Sequence, residues 1–335
     1  MTVVTAGSIA TDHLMVFPGR FTEQLVEGGL DKISLSFLVD DLQVRRGGIG
    51  ANIAFGLGLL GLRPVLVGAA GVDFAEYRTW LEGHGVDTGH VRISAARHTA
   101  RFVCTTDADQ NQIATFYAGA MSEAGEIDLG AVLADVGLVD LVVISPDDPA
   151  AMLRHSAHCR SAGVPFAADP SQQLARMAGP DIVALVEGAT YLFTNAYEAD
   201  LLLRKTGRTA ADVQAGVDVW ITTHGANGAE ITSRHGGSLH VDAVPATMVA
   251  DPTGVGDAFR AGFLAGRVRG LDLERSAQLG SGIATLVVET VGTQEYVLDP
   301  AALVERLERA YGSAAAAEIA GVVVPAGALL TEEIR

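Results

Sequence analysis

The sequence predicts an α/β protein with a mostly parallel central sheet and a second, smaller β-sheet. Short β-rich runs alternate with helical segments along most of the chain, and this alternation is typical of βα units around a parallel sheet. Two stretches, 14–42 and 99–117, lack a helical period and carry strand-like runs instead. We therefore expect these two stretches to form a separate antiparallel sheet.

The central sheet is predicted from apolar, β-rich runs that begin at the N-terminus. These runs are 3–6, 64–67, 141–144, 165–168, 191–194 and 217–222. Helices are predicted after several of them, at 51–60, 74–83, 150–162 and 197–205. The first of these helices is apolar on nearly every side, which is typical of a buried helix.

The smaller sheet is predicted from strand-like runs at 14–17, 33–39, 101–106 and 113–117. Such a sheet beside an active site would serve as a lid, and its exposed face would suit a homodimer. Two ordinary surface hairpins are an equally good interpretation of these runs. Beyond residue 251 the sequence predicts helices at 254–269, 273–289 and 300–317. From Ser313 onward it predicts a peripheral tail.

Composition excludes several kinds of partner. The formal charge of -17 disfavours nucleic acid and anionic membranes, which both attract basic surfaces. Cys104 and Cys159 have no metal-ligand spacing, which fits a reduced cytoplasmic protein. No basic leader and no long apolar span is visible, so we expect a soluble cytoplasmic protein.

The most informative motif is Asp251-Pro-Thr-Gly-Val-Gly-Asp257, directly before a long helical pattern. Unpaired amides of Gly254, Val255 and Gly256 at a helix N-terminus would bind an anion, and the helix dipole adds to this. Asp257 would then face that anion, where its carboxylate could accept the proton of an attacking hydroxyl. A capping acid is the competing interpretation of Asp257.

Three further motifs place polar groups after strands or at helix starts. Gly48 and Asn52 lie where a glycine-rich turn opens a helix, and Asp12 follows the first strand. Asn195 and Glu198 have the spacing of a capping box but also suit a hydrated Mg²⁺ on a nucleotide. A glycine-bearing turn that could lie along a nucleotide carries Thr223, Gly225 and Gly228. Taken singly, each of these has a structural explanation.

Together and in this order, the motifs resemble the ribokinase-like (PfkB) carbohydrate kinase family over roughly residues 3–311. Within that family the chain looks most like the actinobacterial adenosine kinases. The resemblance implies a three-layer α/β/α domain with a β lid, and ATP-dependent phosphorylation of adenosine in purine salvage. The matching boundaries are 1–13, 43–98 and 118–324 for the large domain, 14–42 and 99–117 for the lid, and 325–335 for a tail. Val255 departs from the family, which usually has a small residue there.

The resemblance also implies roles for individual residues. Asp257 would be the base, and Gly254, Val255 and Gly256 would form the anion hole. Asn195, Thr223, Gly225, Gly228 and Gly256 would bind ATP, Glu198 would support Mg²⁺ through water, and Asp251 would bind a monovalent cation such as K⁺ together with Thr253 and Gly292. The implied substrate contacts are Ser8, Asp12, Ser36, Gly48, Asn52, Phe102, Phe116, Gln172 and Gln173.

Base recognition follows from simple chemistry. A purine requires π-faces for stacking and polar groups at its edge. Phe102 and Phe116 would supply the first, and Gln172 and Gln173 the second. Core packing for the phenylalanines and solvent exposure for the glutamines are the competing interpretations.

Two different functions also fit the motifs. A sugar kinase of the same fold would act on ribose or fructose. A non-catalytic ligand-binding protein on a kinase fold would not need the carboxylate of Asp257. A panel of nucleosides and sugars with ATP distinguishes these functions from a nucleoside kinase.

Overall fold

The computed structural model describes residues 1–24 and 35–323. The predicted tail at 325–335 lies outside the described residues, as do residues 33 and 34 of one predicted strand. In the described part, no helix is both long and apolar enough to cross a membrane.

The described residues form thirteen strands and twelve α-helices. The strands are β1 (Val3–Ala6), β2 (Ala10–Val16), β3 (Asp41–Gly47), β4 (Val65–Ala70), β5 (Val91–Ile93), β6 (Ala100–Thr106), β7 (Gln112–Tyr117), β8 (Leu141–Ile144), β9 (Phe166–Ala168), β10 (Tyr191–Asn195), β11 (Val219–Thr223), β12 (Ala229–Ser233) and β13 (Ser238–Val241). The helices are α1 (Phe21–Gln24), α2 (Ile49–Leu59), α3 (Ala75–Gly83), α4 (Leu129–Val136), α5 (Pro149–Ala162), α6 (Gly179–Val186), α7 (Ala196–Thr206), α8 (Ala210–Gly216), α9 (Val255–Val268), α10 (Leu273–Val288), α11 (Pro300–Tyr311) and α12 (Ser313–Val323).

The large sheet has nine strands in the order β13-β12-β11-β10-β9-β8-β1-β4-β5. From β11 to β5 every neighbouring pair is parallel, whereas β12 and β13 add an antiparallel edge. The predicted mostly parallel sheet is therefore confirmed. β1, β4 and β8 are buried along their whole length, as expected for parallel strands covered on both faces.

Helices cover both faces of this sheet and create two hydrophobic cores. One core contains the buried faces of α2, α3, α9, α10, α11 and α12. The other contains those of α4, α5, α6, α7 and α8. Alternate residues of one strand enter different cores, as Val3 and Val4 do in β1. The result is a three-layer α/β/α domain.

The small sheet has four strands in the order β3-β2-β6-β7. Its two hairpin-like pairs are antiparallel, and they join through the parallel pair β2 and β6. A separate small sheet is thus confirmed, but it is mixed and not wholly antiparallel as predicted, because β2 and β6 run parallel. Its strands also start at Ala10 and continue to Gly47, beyond the predicted limits of 14 and 42. β3 was not predicted, because only Leu42 and Val44 in it are apolar and it ends in Arg45, Arg46 and a glycine.

Two predicted features differ from the structure. Residues 35–39 form no strand, because β3 and β6 already occupy both edges of β2. Phe37 instead packs its ring against Phe17 and Phe21, at centroid distances of 5.0 and 4.8 Å. The peripheral tail expected from Ser313 is α12, whose Ile319 and Val323 are buried in the core. The helix predicted at 300–317 is broken at Gly312 by a positive φ of 87°.

Candidate active site

Two cavities meet at the N-terminus of α9. The first has a volume of about 650 Å³ and lies between the small sheet and the starts of α2 and α9. The second has a volume of about 570 Å³ and extends from the start of α9 toward β10, β11 and α10. Gly254 and Asp257 line both cavities. A group held in one cavity can therefore approach a group held in the other at Asp257.

The structure brings most of the candidate residues to these two cavities. Those that line the first cavity are Ser8, Asp12, Gly48, Asn52, Phe102, Phe116, Gln172, Gln173, Asp251, Thr253 and Gly292. Those that line the second are Asn195, Glu198, Thr223, Gly225, Gly228, Val255 and Gly256. Ser36 is the exception, because it is exposed and lines neither cavity.

The N-terminus of α9 has the features of an anion site. Gly254 adopts the left-handed conformation with φ 77°, and within the described residues no side chain caps the helix. The first amides of the helix have no intrahelical acceptor. Asp257 does not serve as a cap either, because its Oδ2 accepts a hydrogen bond from Asn52 Nδ2 at 2.8 Å. The capping interpretation of Asp257 is therefore not supported.

Asn52 is oriented by its own neighbours. Its Oδ1 lies 3.0 Å from Thr293 Oγ1 and accepts a hydrogen bond from Gln294 Nε2 at 2.8 Å. The amide nitrogen of Asn52 must then face Asp257. Asn52 is buried in the first turn of α2. Its hydrogen bond therefore holds the carboxylate of Asp257, which belongs to α9, against α2.

Asp257 is only 8% exposed. Burial raises the pKa of its carboxyl to about 6, the charge of Arg260 and the hydrogen bond from Asn52 oppose this rise, and Glu198 adds to it. A carboxyl with a pKa near 6 is a carboxylate at neutral pH, yet it is more basic than an exposed aspartate. Such a group is suited to accept a proton.

One row of side chains crosses the small sheet and faces the first cavity. Arg45, Asp12, Phe102 and Phe116 are consecutive partners in the strand register, and all four line this cavity. The two rings lie side by side at one end of the row, where Phe116 is 50% exposed. Burial, followed by the charge of Asp251, raises the pKa of Asp12 to about 6.

Gly48 shows why a glycine opens α2. Its φ is 94°, and a Cβ at this position would lie 2.6 Å from both Ala10 N and Ser8 O. Ser8 Oγ accepts a hydrogen bond from the Ile49 amide at 3.0 Å and so satisfies one free amide of the helix. The close approach of these segments places Asn52 beside α9.

The second cavity contains the start of α7. Asn195 and Glu198 form a capping box, in which Asn195 Oδ1 accepts from the Glu198 amide and Glu198 Oε2 accepts from the Asn195 amide, both at 2.8 Å. The structural explanation of this motif is therefore correct. Glu198 Oε1 accepts a hydrogen bond from Ser171 Oγ at 3.3 Å, and both side chains line the cavity.

The two glutamines differ in their surroundings. Gln172 is exposed at the first cavity. Gln173 is buried, and its Nε2 donates to the carbonyl oxygen of Asp147 at 2.8 Å. Only Gln172 thus keeps its whole amide free for a ligand within the described part of the chain.

Sequence reasoning missed Arg260 and its partner Asp169. Arg260 lines the second cavity and forms a buried ion pair with Asp169, with two contacts of 2.7 Å. The signal in the sequence was an arginine inside the otherwise apolar run Ala258-Phe-Arg-Ala-Gly-Phe-Leu264. A charged side chain within an apolar helical run is buried only when it has a partner.

Comparison with known proteins identifies the family. A model described as pfkB family carbohydrate kinase matches residues 8–300. The nucleoside kinase of Methanothermobacter thermautotrophicus is 33% identical over 269 residues, which are 79% of this chain and 85% of that protein. The structure of the Burkholderia thailandensis nucleoside kinase in complex with inosine has a TM-score of 0.81 and 36% identity, over 93% of this chain and 99% of that one. The nucleoside kinase structure from Methanocaldococcus jannaschii has a TM-score of 0.81 and 26% identity, over 92% of this chain and 98% of that one. The chain therefore belongs to the pfkB family of carbohydrate kinases and is an ATP-dependent kinase.

Proposed function

We propose that this enzyme is a nucleoside kinase that transfers the γ-phosphate of ATP to the 5′-hydroxyl of adenosine and gives AMP, a step of purine salvage. The observation that carries this proposal is the junction of two cavities at Asp257 and at the uncapped end of α9. The first cavity would hold the nucleoside and the second the nucleotide. The similar proteins described as nucleoside kinases, one of them in complex with inosine, support the nucleoside class.

The lining of the first cavity favours a nucleoside over a free sugar. Asp12 and Asn52 supply acceptors and donors for the ribose hydroxyls. Phe102 and Phe116 add two ring faces on the same side of the small sheet, on which a planar base can stack. Gln172 is the candidate for the edge of the base. The resemblance to adenosine kinases makes adenosine the proposed member of this class, with ribose as the second candidate.

The chemistry requires a base and an anion hole. Asp257 accepts the proton of the 5′-hydroxyl as that oxygen attacks the γ-phosphorus, while the bond from phosphorus to the ADP oxygen breaks. The amides of Gly254, Val255 and Gly256 donate to the phosphoryl oxygens, and the dipole of α9 favours their charge. The small sheet, which carries one wall of the first cavity, would exclude water when it closes.

Two metal ions are part of the proposal. A Mg²⁺ that arrives on ATP would keep most of its waters and need few protein ligands. Glu198 and Asn195 would hold it through water, and it would neutralise phosphate charge. Asp251 accepts hydrogen bonds from the amides of Thr253 and Gly292, at 2.9 and 3.1 Å. This loop pair is the proposed site of K⁺.

The pH dependence of kcat/KM should report the two raised carboxyl pKa values. Asp257 must be a carboxylate to accept a proton, and Asp12 can accept hydrogen bonds with both oxygens only as a carboxylate. With both pKa values at about 6, kcat/KM should be flat near pH 8 and fall below pH 6, by up to about a hundredfold per pH unit if both groups are required. In Asp12→Asn the slope should drop to tenfold per unit. A flat profile down to pH 5 would contradict both assignments.

A substrate panel tests the proposed function. ADP formation should be measured with ATP and, in turn, adenosine, guanosine, inosine, ribose and fructose. We expect kcat/KM for adenosine to exceed that for ribose by about 10⁴-fold, because a site that hydrogen-bonds the base rejects analogues that lack it. Phe116→Ala should reduce kcat/KM for adenosine while that for ribose stays constant. Preference for ribose would refute the nucleoside class, and nucleoside binding without ADP formation would favour a non-catalytic protein.

A homodimer through the lid is also part of the proposal. The outer face of the small sheet, opposite the first cavity, exposes Leu42, Val44, Ile113 and Tyr117. Covering this apolar face with the same face of a second copy would give a twofold dimer. Sedimentation of a monomer at micromolar concentration would contradict it.

A further inference from the structure

Arg260 is a buried cation beside the candidate anion hole. It lies three residues after Asp257 on α9 and is 6% exposed. Its Nη2 donates to Asp169 Oδ1 and its Nε contacts Asp169 Oδ2, both at 2.7 Å. Asp169, at the end of β9, is fully buried. The hydrogen bond and the second close contact of this ion pair hold the guanidinium against Asp169.

The third nitrogen of the guanidinium points to Gly256. A Cβ on Gly256 would lie 2.7 Å from Arg260 Nη1, so this nitrogen covers the glycine directly. In an α-helix a side chain leans toward the N-terminus and covers the residue four positions earlier. For Arg260 that residue is Gly256. Within the described residues, Nη1 makes no hydrogen bond and is not sealed from solvent. Arg260 lines the second cavity together with Gly254, Gly256 and Asp257.

The surroundings keep this side chain charged. Burial disfavours the cation, but the carboxylates of Asp169, Asp257 and Glu198 outweigh that effect and raise the pKa of Arg260. In the described part of the chain, no ion pair within 4.0 Å joins Arg260 to Asp257 or Glu198. The structure thus holds a permanent cation whose free N–H groups face the place where the phosphoryl group would pass.

We propose that Arg260 is a further catalytic residue, whose Nη1 donates to the transferring phosphoryl group above Gly256 while Asp169 holds the guanidinium in position. This inference rests on the kinase activity, and it applies whichever alcohol is the acceptor. In the reaction the bond from phosphorus to the acceptor oxygen forms, the bond to ADP breaks and the proton moves to Asp257. Arg260 gains no proton and loses none, and it stabilises the charge on the phosphoryl oxygens.

The first test replaces Arg260 with methionine, which keeps the length of the stem and removes the donors. We expect kcat to fall by about 10²- to 10³-fold, the range for loss of one preorganised donor. The adenosine Kd from calorimetry should change by less than about threefold, because the contact is made outside the nucleoside cavity. The matched control is Arg267→Met on the same helix. Arg267 donates to Tyr191 Oη and to the carbonyl oxygen of Leu271 and lines neither cavity, so its kcat should stay at the wild-type value.

Removal of Arg260 alone leaves Asp169 as a buried, unpaired charge, which destabilises a fold strongly. The double variant Asp169→Leu with Arg260→Met replaces the pair with apolar side chains and should restore the melting temperature. It should keep the same deficit in kcat. In Asp169→Asn the cation remains but loses one charged partner, and we expect an intermediate deficit. Recovery of wild-type kcat in the stable double variant would overturn the proposal.

The pH profile separates contact with phosphate from an effect on the base. Arg260 faces Asp257 from within α9, Asn52 faces it from α2 and Glu198 from α7. The charge of Arg260 lowers the pKa of Asp257. Without this charge the pKa should rise, so kcat/KM should begin to fall at a higher pH. If Arg260 contacts phosphate, the deficit in kcat persists on the plateau above that limb. If the plateau returns to wild type, Arg260 acts only on Asp257 and the proposed contact is wrong. Failure of the wild-type enzyme to form ADP with any acceptor would instead refute the proposed function.

Discussion

Asp257→Asn is expected to lower kcat by about 10²- to 10⁴-fold, the usual contribution of a general base, and to leave nucleoside affinity nearly unchanged. Asparagine has the size of aspartate, and its Oδ1 can still accept the hydrogen bond that Asn52 Nδ2 gives to Asp257. The substitution therefore removes the proton acceptor without opening a cavity. Steady-state kinetics with saturating ATP and adenosine, together with calorimetry for adenosine, measures the two effects.

The control for this variant is Asp212→Asn. Asp212 is also the third residue of a helix, α8, and it forms an exposed capping box with Thr209. The same chemical change at the same helix position, outside both cavities, should leave kcat unchanged. Activity of more than a few per cent of wild type in Asp257→Asn would show that another group takes the proton.

Gly254→Ala is expected to have the second largest effect. Gly254 has a φ of 77°, and a Cβ there would lie 2.8 Å from Cγ2 of Thr293. Thr293 cannot move freely, because its Oγ1 is within hydrogen-bond distance of the Arg46 carbonyl and of Asn52 Oδ1. The loop before α9 must therefore shift, and displacement of reacting groups by about 1 Å can cost roughly 10²-fold in rate. Activity should fall by that factor, measured as kcat.

Part of the stability that Gly254→Ala loses comes from the backbone conformation alone. An alanine in the left-handed region costs about 1–2 kcal/mol of stability at any position. Gly163→Ala isolates that cost, because Gly163 has a similar φ of 67° at the end of α5 and a Cβ there would contact nothing within 4 Å. In urea, Gly254→Ala should lose at least as much stability as Gly163→Ala, because only Gly254 adds a contact with Thr293. Only Gly254→Ala should lose activity. Equal kcat in the two variants would show that the Gly254 loop does not position the phosphoryl group.

The central sheet could be predicted from sequence because its strands are short, apolar and separated by helices. Buried parallel strands such as β1 and β8 have no polar face, so their runs stand out. β3 could not be found in this way. Three of its seven residues are charged and its first four are exposed, because this edge strand is stabilised by pairing with β2 and not by burial.

The candidate site could be predicted where the chemistry is local. The glycines and Asp257 at the start of α9 belong to one short motif, and helix-terminal amides have the same properties in any fold. The partners of that motif are distant in sequence. Asp257 contacts Asn52 across 205 positions, and Arg260 contacts Asp169 across 91. Such contacts depend on how α2, β9 and α9 pack, and no local pattern encodes their register. Ser36, which only the family resemblance implied at the substrate, is exposed and lines neither cavity.

The most direct measurement is a crystal structure with adenosine and a non-hydrolysable ATP analogue bound together. If the carboxylate at the meeting point of the two cavities deprotonates the acceptor, the 5′-oxygen should lie about 3 Å from Asp257, with the terminal phosphate over the amides of residues 254–256. This mechanism would be contradicted by a nucleoside whose 5′-oxygen points away from Asp257. It would also be contradicted by a triphosphate whose terminal phosphate lies away from the N-terminus of α9.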